Sequence, residues 1–458
     1  MDKKSVKSIK SGFFSRNFSL ARLSAGTAVS LIGKKGSDAL LATLKKQANA
    51  WVSEMGLMKG PLMKVGQVLT MVDDAIIPSE IKKIFRPLME QSVELDGQVM
   101  AKYLRQRLKK ERMDKIEFDL EPYASASIGQ VHRAVLRETG EKLVVKIQYP
   151  GMQRSLDSDM STLKSLFTLL RALPGFSKEV AEDLLGEVRR LLEQEMDYHN
   201  EAKFIDIYRE KFKDHPVVCV PKVYEDLSTK TVITMSYEDG YTLVPERLKD
   251  LNKSQAISLA RTMVEVFLTE FFEMSMLQTD THGGNYRLRL VEDAKEDKVE
   301  LVLLDFGAIN TLDSHIVADI KTLVIEAYRF DEEAVKQHLF KMKILSEEDP
   351  KPFIDLHMDL VMRSIGALLP ASHRANRDGV MRLNSPEWFD YMTDFKKQIF
   401  AMRTPPRAIN PELVALGRWV IGMRQFLSEI PVDWDEANIP EVVFRFIPEL
   451  SKIDGVKC

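Results

Sequence analysis

The sequence lacks three features that would place it in a special class of protein. Two cysteines among 458 residues, Cys219 and Cys458, exclude a disulfide framework and suit a reducing compartment. No apolar run reaches the roughly 20 residues that span a bilayer, so we expect no membrane crossing. The net charge of −3 gives no general attraction to nucleic acid, and none is expected as a partner. Composition instead predicts a soluble globular protein with more than one core.

Two short motifs in the second half of the chain indicate phosphate chemistry. In protein kinases, a catalytic-loop aspartate lies five residues before an asparagine, and a later Asp-Phe-Gly supplies a metal-binding carboxylate. Asp280 and Asn285 keep that spacing, and Asp305 begins an Asp-Phe-Gly. The apolar residues 301–304 predict a short buried strand that would hold Asp305 rigidly. Either motif alone is weak, but together and in this order they favour nucleotide phosphate chemistry.

The chain before these motifs is rich in predicted strands. We expect five, near residues 116–124, 130–137, 142–149, 217–223 and 230–236. Lys146 is embedded in the third, so it is either an edge residue facing water or a buried cation that needs a partner. Helices are predicted near 156–172 and 178–213. The chain is expected to be largely helical from 253 onward, most clearly at 316–328, 331–342, 353–369 and 411–427. This order predicts an α+β, two-lobed protein-kinase-like fold with an N-terminal helical extension.

Two features of ordinary protein kinases are missing. The connection between the first two strands has alanine and serine where those kinases place Gly-x-Gly-x-x-Gly. Alanine restricts positive φ and the approach of backbone N–H groups to phosphate, so the loop should be stiffer. After Gly307 the chain enters a helix without a long activation segment or an Ala-Pro-Glu. Transfer of phosphate to protein substrates in trans is therefore disfavoured.

With these departures, the sequence resembles the ABC1/UbiB/COQ8 (ADCK) family of atypical kinase-like proteins. The resemblance covers roughly residues 50–310, and its motifs occur in family order. The matching stretches are Lys64–Gln67 (Lys-x-Gly-Gln), Ala124–His132 (the alanine-rich loop), Val145–Gly151, Glu195–Asp197 (Glu-x-Asp), Asp280–Asn285 and Asp305–Gly307.

The resemblance implies ATP and Mg²⁺ as cofactors and assigns residues to them. Lys146 would contact the α- and β-phosphates and pair with Glu201, Asn285 and Asp305 would hold Mg²⁺, and Asp280 would orient or deprotonate the nucleophile. The remaining residues expected to bind nucleotide lie in the alanine-rich loop and in the hinge after the last strand. They are Ala124, Ser125, Ala126, Ser127, Ile128, Gly129, Gln130, Met235 and Tyr237.

The family also implies a role for its Lys-x-Gly-Gln helix. Lys64, supported by Gln67, would reach into the active site toward Glu195 and Asp197, and its helix would lie over the place where a peptide substrate docks. From spacing alone, Glu195 and Asp197 do not share a helical face, so we expect one to face the site and the other to support it.

The predicted organisation has four parts. Residues 1–45 form a basic amphipathic segment, 46–112 a helical extension, 113–240 a kinase-like N-lobe with inserted helices, and 241–458 a helical C-lobe. The basic segment fits a helix on an anionic membrane, a helix packed on its own domain, or a cleaved organellar transit peptide. The protein is accordingly expected to be cytoplasmic and peripherally membrane-associated, or organellar if residues 1–30 are a transit peptide.

By resemblance, the expected function is a slow or membrane-stimulated ATPase that supports ubiquinone biosynthesis or lipid homeostasis. Expected partners are the nucleotide, a membrane or prenyl lipid, and quinone-biosynthesis proteins; the sequence does not fix the oligomeric state. A small-molecule phosphotransferase and a catalytically inert nucleotide-gated scaffold are the alternatives. Magnesium-dependent turnover, and the group that accepts the phosphate, would distinguish them.

Overall fold

The structure is a computed structural model, and it describes residues 95–171, 177–293, 296–366, 386–402 and 410–453. The helices are α1 Gly97–Met113, α2 Met152–Leu170, α3 Lys178–Glu195, α4 Tyr198–Phe212, α5 Pro245–Leu248, α6 Lys253–Leu268, α7 Ser314–Arg329, α8 Glu332–Lys341, α9 Lys351–Gly366, α10 Pro386–Ala401, α11 Pro411–Ser428 and α12 Ile439–Phe446. The strands are β1 Ile116–Ser125, β2 Gly129–Leu136, β3 Lys142–Gln148, β4 Val218–Cys219, β5 Val232–Ser236, β6 Tyr241–Thr242, β7 Met276–Gln278, β8 Tyr286–Asp293, β9 Glu296–Leu303 and β10 Ile309–Thr311.

These elements belong to two compact units. The first extends to Asp206 and takes in Lys222–Tyr237; the second comprises Ile207–Pro221 and the chain from Glu238 onward. The predicted basic segment at residues 1–45, and the part of the helical extension with Lys64 and Gln67, lie outside the described residues.

The first unit contains an antiparallel sheet in the order β1-β2-β3-β5. Strand β3 alternates in the way a sheet with one buried face requires, since Leu143, Val145 and Ile147 are fully buried. Lys146 lies on the opposite face, where it pairs in register with Val131 of β2 and Ile233 of β5. The sheet thus places the lysine in its middle rather than at its edge.

Of the five predicted strands, four form this sheet, and the fifth is shorter than expected. The segment predicted at 217–223 forms only the two-residue strand β4, which pairs in parallel with Leu301 and Val302 of β9 in the second unit. Both residues of so short a strand are apolar or nearly so, and such a pattern does not indicate which sheet it joins.

The helix predicted over 178–213 is two helices. Helix α3 ends at Glu195 and α4 begins at Tyr198. Asp197 is the N-cap of the second helix: its carboxylate accepts a hydrogen bond from His199 N at 3.1 Å, and its carbonyl accepts one from Asn200 N at 3.1 Å.

In the second unit, the hairpin β8–β9 lies in a sheet of order β4-β9-β8-β6, and β7 pairs with β10. Leu301, Val302 and Leu303 are buried, which confirms the predicted strand before Asp305. The helices predicted near 316–328, 331–342, 353–369 and 411–427 are present as α7, α8, α9 and α11. Within the described ranges, no helix is both long and apolar enough to cross a membrane.

Candidate functional site

A buried ion pair marks the centre of the first unit's sheet. Lys146 Nζ lies 2.7 Å from Glu201 Oε1, and the two side chains are only 12% and 3% exposed. The ring of Tyr198, one turn before Glu201 on α4, lies 5.2 Å from the ammonium. A lysine inside a sheet requires such a partner, because an unpaired buried charge is strongly unfavourable. The structure therefore brings together the lysine and the glutamate that were predicted to act as a pair.

The alanine-rich loop is held by its own backbone and by Glu195. Ala126 N donates to Gly129 O at 2.9 Å, and Ser127 Oγ donates to Glu195 Oε2 at 2.5 Å. A Cβ at Gly129 would lie 2.5 Å from the backbone oxygen of Ile147, so only glycine fits there. The loop is accordingly a packed turn tied to the end of α3.

Two residues of the predicted nucleotide-binding set, Gln130 and Ile128, have buried side chains. Gln130 is fully buried; its Oε1 accepts from Leu95 N at 2.9 Å and its Nε2 donates to Leu95 O at 3.1 Å. Side chains alternate along β2, so Gln130 lies on the face opposite Val131 and Lys146. Ile128 is 1% exposed, and its carbonyl accepts from Tyr149 N. The Gln130 side chain thus binds the chain that precedes α1, and the Ile128 side chain belongs to the core.

The hinge residues differ in exposure. Met235 is buried and pairs in register with Val144, which places it on the same face of the sheet as Lys146. The ring of Tyr237 lies 5.8 Å from that of Tyr123 and is half-buried.

Glu195 and Asp197 contact different parts of the first unit. Glu195 faces Ser127 of the alanine-rich loop, whereas Asp197 begins α4 and lies 3.6 Å from Lys230. Asp197 thus lies at the start of the helix that carries Glu201.

In the second unit, Asp280, Asn285 and Asp305 lie in two neighbouring loops. Asp280 follows β7, and Asn285 ends the short 3₁₀ helix Gly283–Asn285, where its Nδ2 donates to Asp280 O at 2.8 Å. Asp305 follows β9, and its Oδ1 accepts from Gly307 N at 2.9 Å. A Cβ at Gly283 would lie 1.6 Å from a backbone oxygen, which explains the glycine within the loop.

Gln278 joins the two loops and was not recognised from the sequence. Its Nε2 donates to Asp305 O at 2.6 Å, and its Oε1 accepts from Asp280 N at 3.0 Å. The side chain is 4% exposed. It lies two residues before Asp280, and no periodicity distinguishes it from a surface glutamine.

A buried carboxyl lies behind these loops and was also missed. Glu270, in the π-helical turn Thr269–Glu273, is 3% exposed and accepts a hydrogen bond from Trp419 Nε1 at 3.4 Å. Burial raises the pKa of Glu270 to about 8. Burial and the neighbouring Glu270 also raise the pKa of Tyr208 well above its usual range. The Tyr208 ring packs edge-on against Phe306 of the Asp-Phe-Gly, with ring centroids 4.9 Å apart.

The donor set of the second unit suits a magnesium ion. Mg²⁺ takes oxygen ligands and is commonly bound by one or two carboxylates together with substrate phosphates. The Nδ2 atom of Asn285 is used on Asp280 O, so its Oδ1 is the atom that would ligate a metal beside the Asp305 carboxylate. His282 Nδ1 accepts a hydrogen bond from Gly284 N at 3.1 Å, and its Nε2 lies 3.9 Å from Asp280 Oδ1.

Comparison with known proteins identifies the family. The family model described as the ABC1 atypical kinase-like domain matches residues 83–339, more than half of the chain. The chain belongs to this family. It is similar to the atypical kinase COQ8B, mitochondrial, of Danio rerio, with 32% identity over 70% of this chain and 50% of that protein. It is also similar to the atypical kinase COQ8, mitochondrial, of Saccharomyces cerevisiae, with 26% identity over 78% of this chain and 71% of that protein.

Length and fold complete the comparison. The chain spans about half the length of the Danio rerio relative, and 60% of the Rattus norvegicus COQ8B. Among solved structures, it is similar to the Rv3197–erythromycin complex from Mycobacterium tuberculosis, with a TM-score of 0.56 and 21% identity over 91% of this chain and all of that one. At this identity the likeness concerns the fold, and together with the family it confirms the expected two-lobed, α+β protein-kinase-like architecture.

Proposed function

We propose that this protein binds Mg-ATP and acts as a slow or membrane-stimulated ATPase that supports isoprenoid-quinone biosynthesis or lipid homeostasis. The observation that carries the proposal is the buried contact of 2.7 Å between Lys146 and Glu201. A buried ion pair is weak support for stability by itself, because desolvation offsets much of the Coulombic attraction. Its retention in the middle of a sheet is better explained by a function of the charge.

The first unit supplies the group that would bind phosphate. A lysine ammonium has three donors, so it can bind phosphate oxygens while it keeps its contact with Glu201. Glu201 restricts the ammonium to one orientation, which lowers the entropy lost when a phosphate binds. The alanine-rich loop, stiffened by the Ser127–Glu195 contact, would cover the nucleotide with little rearrangement.

The second unit supplies the groups for the metal and for the nucleophile. Asn285 and Asp305 would hold Mg²⁺, which when bound neutralises charge on the transferred phosphate. Asp280 would orient a water molecule or an acceptor hydroxyl and take its proton. The backbone of Asp280 is held on both sides, by Gln278 at its nitrogen and by Asn285 at its oxygen.

The cellular part of the proposal rests on kinship. The relatives named COQ8 and COQ8B are mitochondrial atypical kinases, and the family resemblance associates such proteins with prenyl-lipid metabolism. We extend to this chain the link to quinone biosynthesis, with a membrane or prenyl lipid as the partner that stimulates turnover. A mitochondrial or other organellar location would agree with the serine-rich, basic N-terminal segment.

The test measures phosphate release from ATP by the purified protein as a function of Mg²⁺, with and without anionic liposomes that contain a quinone precursor. We expect Asp305→Asn to abolish the Mg²⁺-dependent turnover. Asp313→Asn is a matched control: Asp313 caps α7 by accepting from His315 N at 2.8 Å, and asparagine caps a helix equally well.

The destination of the phosphate separates the proposal from its alternatives. Release to water, raised by liposomes, supports a membrane-coupled ATPase, whereas transfer to an added small molecule would identify a phosphotransferase. Nucleotide binding without turnover under any condition would leave a nucleotide-gated scaffold. Failure to bind any nucleotide would overturn the proposal.

A further inference from the structure

The carbonyl of Asp305 and the amide of Asp280 are joined by a single side chain. The Nε2 of Gln278 donates to Asp305 O at 2.6 Å, while its Oε1 accepts from Asp280 N at 3.0 Å. Both ends of the amide are therefore used, one on each of the two loops that carry the acids. All three residues lie in the second unit.

The backbone of Gln278 is itself well fixed. It is the last residue of β7 and pairs in register with Ile309 of β10, the strand that follows the Asp-Phe-Gly. The side chain is 4% exposed, so water cannot replace its two contacts. The amide of glutamine offers both a donor and an acceptor without a charge.

We propose that Gln278 is a positioning residue: it holds Asp305 at a fixed distance from the Asp280 backbone, to which Asn285 is bonded, and thereby sets the affinity of the site for Mg²⁺. Gln278 contacts only backbone atoms of the two acids, so it leaves their carboxylates to the chemistry. Residues that orient metal ligands from behind commonly change metal affinity or activity by about 10- to 100-fold when they are replaced. This inference rests on the proposed Mg-ATP binding and deepens it.

A purely structural role is the alternative, and the chain contains a suitable control for it. Thr279 links the same two segments: its Oγ1 donates to Ala308 O at 3.0 Å and accepts from Asn310 Nδ2 at 3.0 Å. Thr279 is 8% exposed, and it contacts neither Asp280 nor Asp305 through its hydroxyl. Thr279→Val therefore removes buried hydrogen bonds between the loops without touching the backbone of either acid.

The experiment compares Gln278→Met, Gln278→Asn and Thr279→Val with the wild-type full chain. Gln278→Met keeps the volume and removes both polar contacts, whereas Gln278→Asn keeps the amide but is too short to join the loops. The readout is the Mg²⁺ concentration at half-maximal binding of a fluorescent ADP, which requires no turnover. Thermal unfolding of each variant is measured in parallel.

We expect both Gln278 variants to raise the Mg²⁺ midpoint by about 10-fold or more, with nucleotide binding restored at high Mg²⁺. Thr279→Val should lower the unfolding temperature but leave the midpoint within about 2-fold of the wild type, because it moves no metal ligand. A Gln278→Met midpoint equal to that of Thr279→Val would overturn the positioning role while leaving the proposed function intact.

Two other outcomes are equally decisive. If neither Gln278 variant folds, the residue is structural and the proposal fails. If the wild type itself shows no Mg²⁺-dependent nucleotide binding and matches Asp305→Asn, the proposed function fails and this inference fails with it.

Discussion

Each unit holds its own predicted functional residues, and the two do so by different means. In the first unit, charged side chains bind other side chains: Lys146 contacts Glu201 at 2.7 Å, and Ser127 contacts Glu195 at 2.5 Å. These contacts use the functional groups themselves. The groups predicted to bind nucleotide are consequently oriented before any ligand arrives.

In the second unit, neutral side chains bind the backbones of Asp280 and Asp305. Gln278 binds Asp280 N and Asp305 O, and Asn285 binds Asp280 O. These contacts fix the backbones of the two aspartates through neutral amide groups. The first unit thus orients a cation with an ion pair, whereas the second unit fixes the backbones of its aspartates with neutral amides.

The largest expected effect comes from breaking the ion pair of the first unit on one side. Glu201→Ala leaves the ammonium of Lys146 buried without its carboxylate, and we expect the free energy of unfolding to fall by about 3–5 kcal/mol. The double variant Lys146→Met/Glu201→Met should recover most of that loss, because it leaves no buried charge. Urea-induced unfolding measures both.

Nucleotide binding by these variants, measured beside their stability, distinguishes a functional role of the ion pair from a structural one. Although it is stable, the double variant should bind no nucleotide, which would separate the role of the pair from the folding of the sheet. Glu210→Ala, on the exposed face of the same helix, should unfold at the wild-type urea concentration. Equal losses in the single and double variants would show that packing, rather than charge, dominates at this position.

The next effect concerns the buried carboxyl of the second unit. Burial raises the pKa of Glu270 from 4.5 to about 8, so the folded protein holds a proton that the unfolded chain releases between these values. The stability associated with this proton is fully present below pH 4.5 and is lost as pH rises toward 8, at up to about 1.4 kcal/mol per pH unit. Glu270→Gln should remove that dependence, so the variant should gain on the order of 2–4 kcal/mol relative to wild type between pH 5 and pH 8.

Glu265 provides a control of opposite sign on the neighbouring helix. Its contacts with His215 and Arg445 lower its pKa, so its contribution is present above pH 4.5 and is lost as pH falls. Glu265→Gln should therefore lose stability near pH 7 and little at low pH. Unfolding curves measured from about pH 3 to pH 8 on all three proteins decide the matter, because Glu265 titrates below pH 4.5 and Glu270 above it. Parallel pH profiles for wild type and Glu270→Gln would contradict the assignment.

Some of the predicted functional residues could be recognised from the sequence, whereas others could not. A lysine within an apolar strand indicates either an edge position or a buried charge with a partner, so Lys146 could be singled out from the sequence. The spacing of Asp280 and Asn285 predicts a catalytic loop, and both signals are visible because charge and spacing are local properties of the sequence. The identity of Glu201 as the partner came from the family resemblance. Gln278 and Glu270 were missed, since a glutamine that binds backbone atoms and a glutamate that is buried are recognised only by what surrounds them.

The fold shows the same limit. Helices α7, α8, α9 and α11 have an apolar period that the sequence displays, and they were predicted. The two residues of β4 pair with β9 rather than with the sheet of the first unit, a choice that depends on tertiary contacts. The direction of the Gln130 side chain was likewise not predicted, because it depends on where β2 begins: strand alternation turns it to the face opposite Lys146.

The smallest expected effect tests whether the second side-chain contact of the first unit resembles the ion pair. Ser127 and Glu195 are both partly exposed, so solvent weakens their hydrogen bond, and a double-mutant cycle of Ser127→Ala with Glu195→Ala should give a coupling energy of about 1 kcal/mol. Because the contact ties the alanine-rich loop to α3, its loss should weaken nucleotide binding by several-fold, more than its small effect on stability would suggest. A coupling energy near zero with unchanged binding would mean that the backbone alone holds this loop, and the first unit would then differ from the second only in its ion pair.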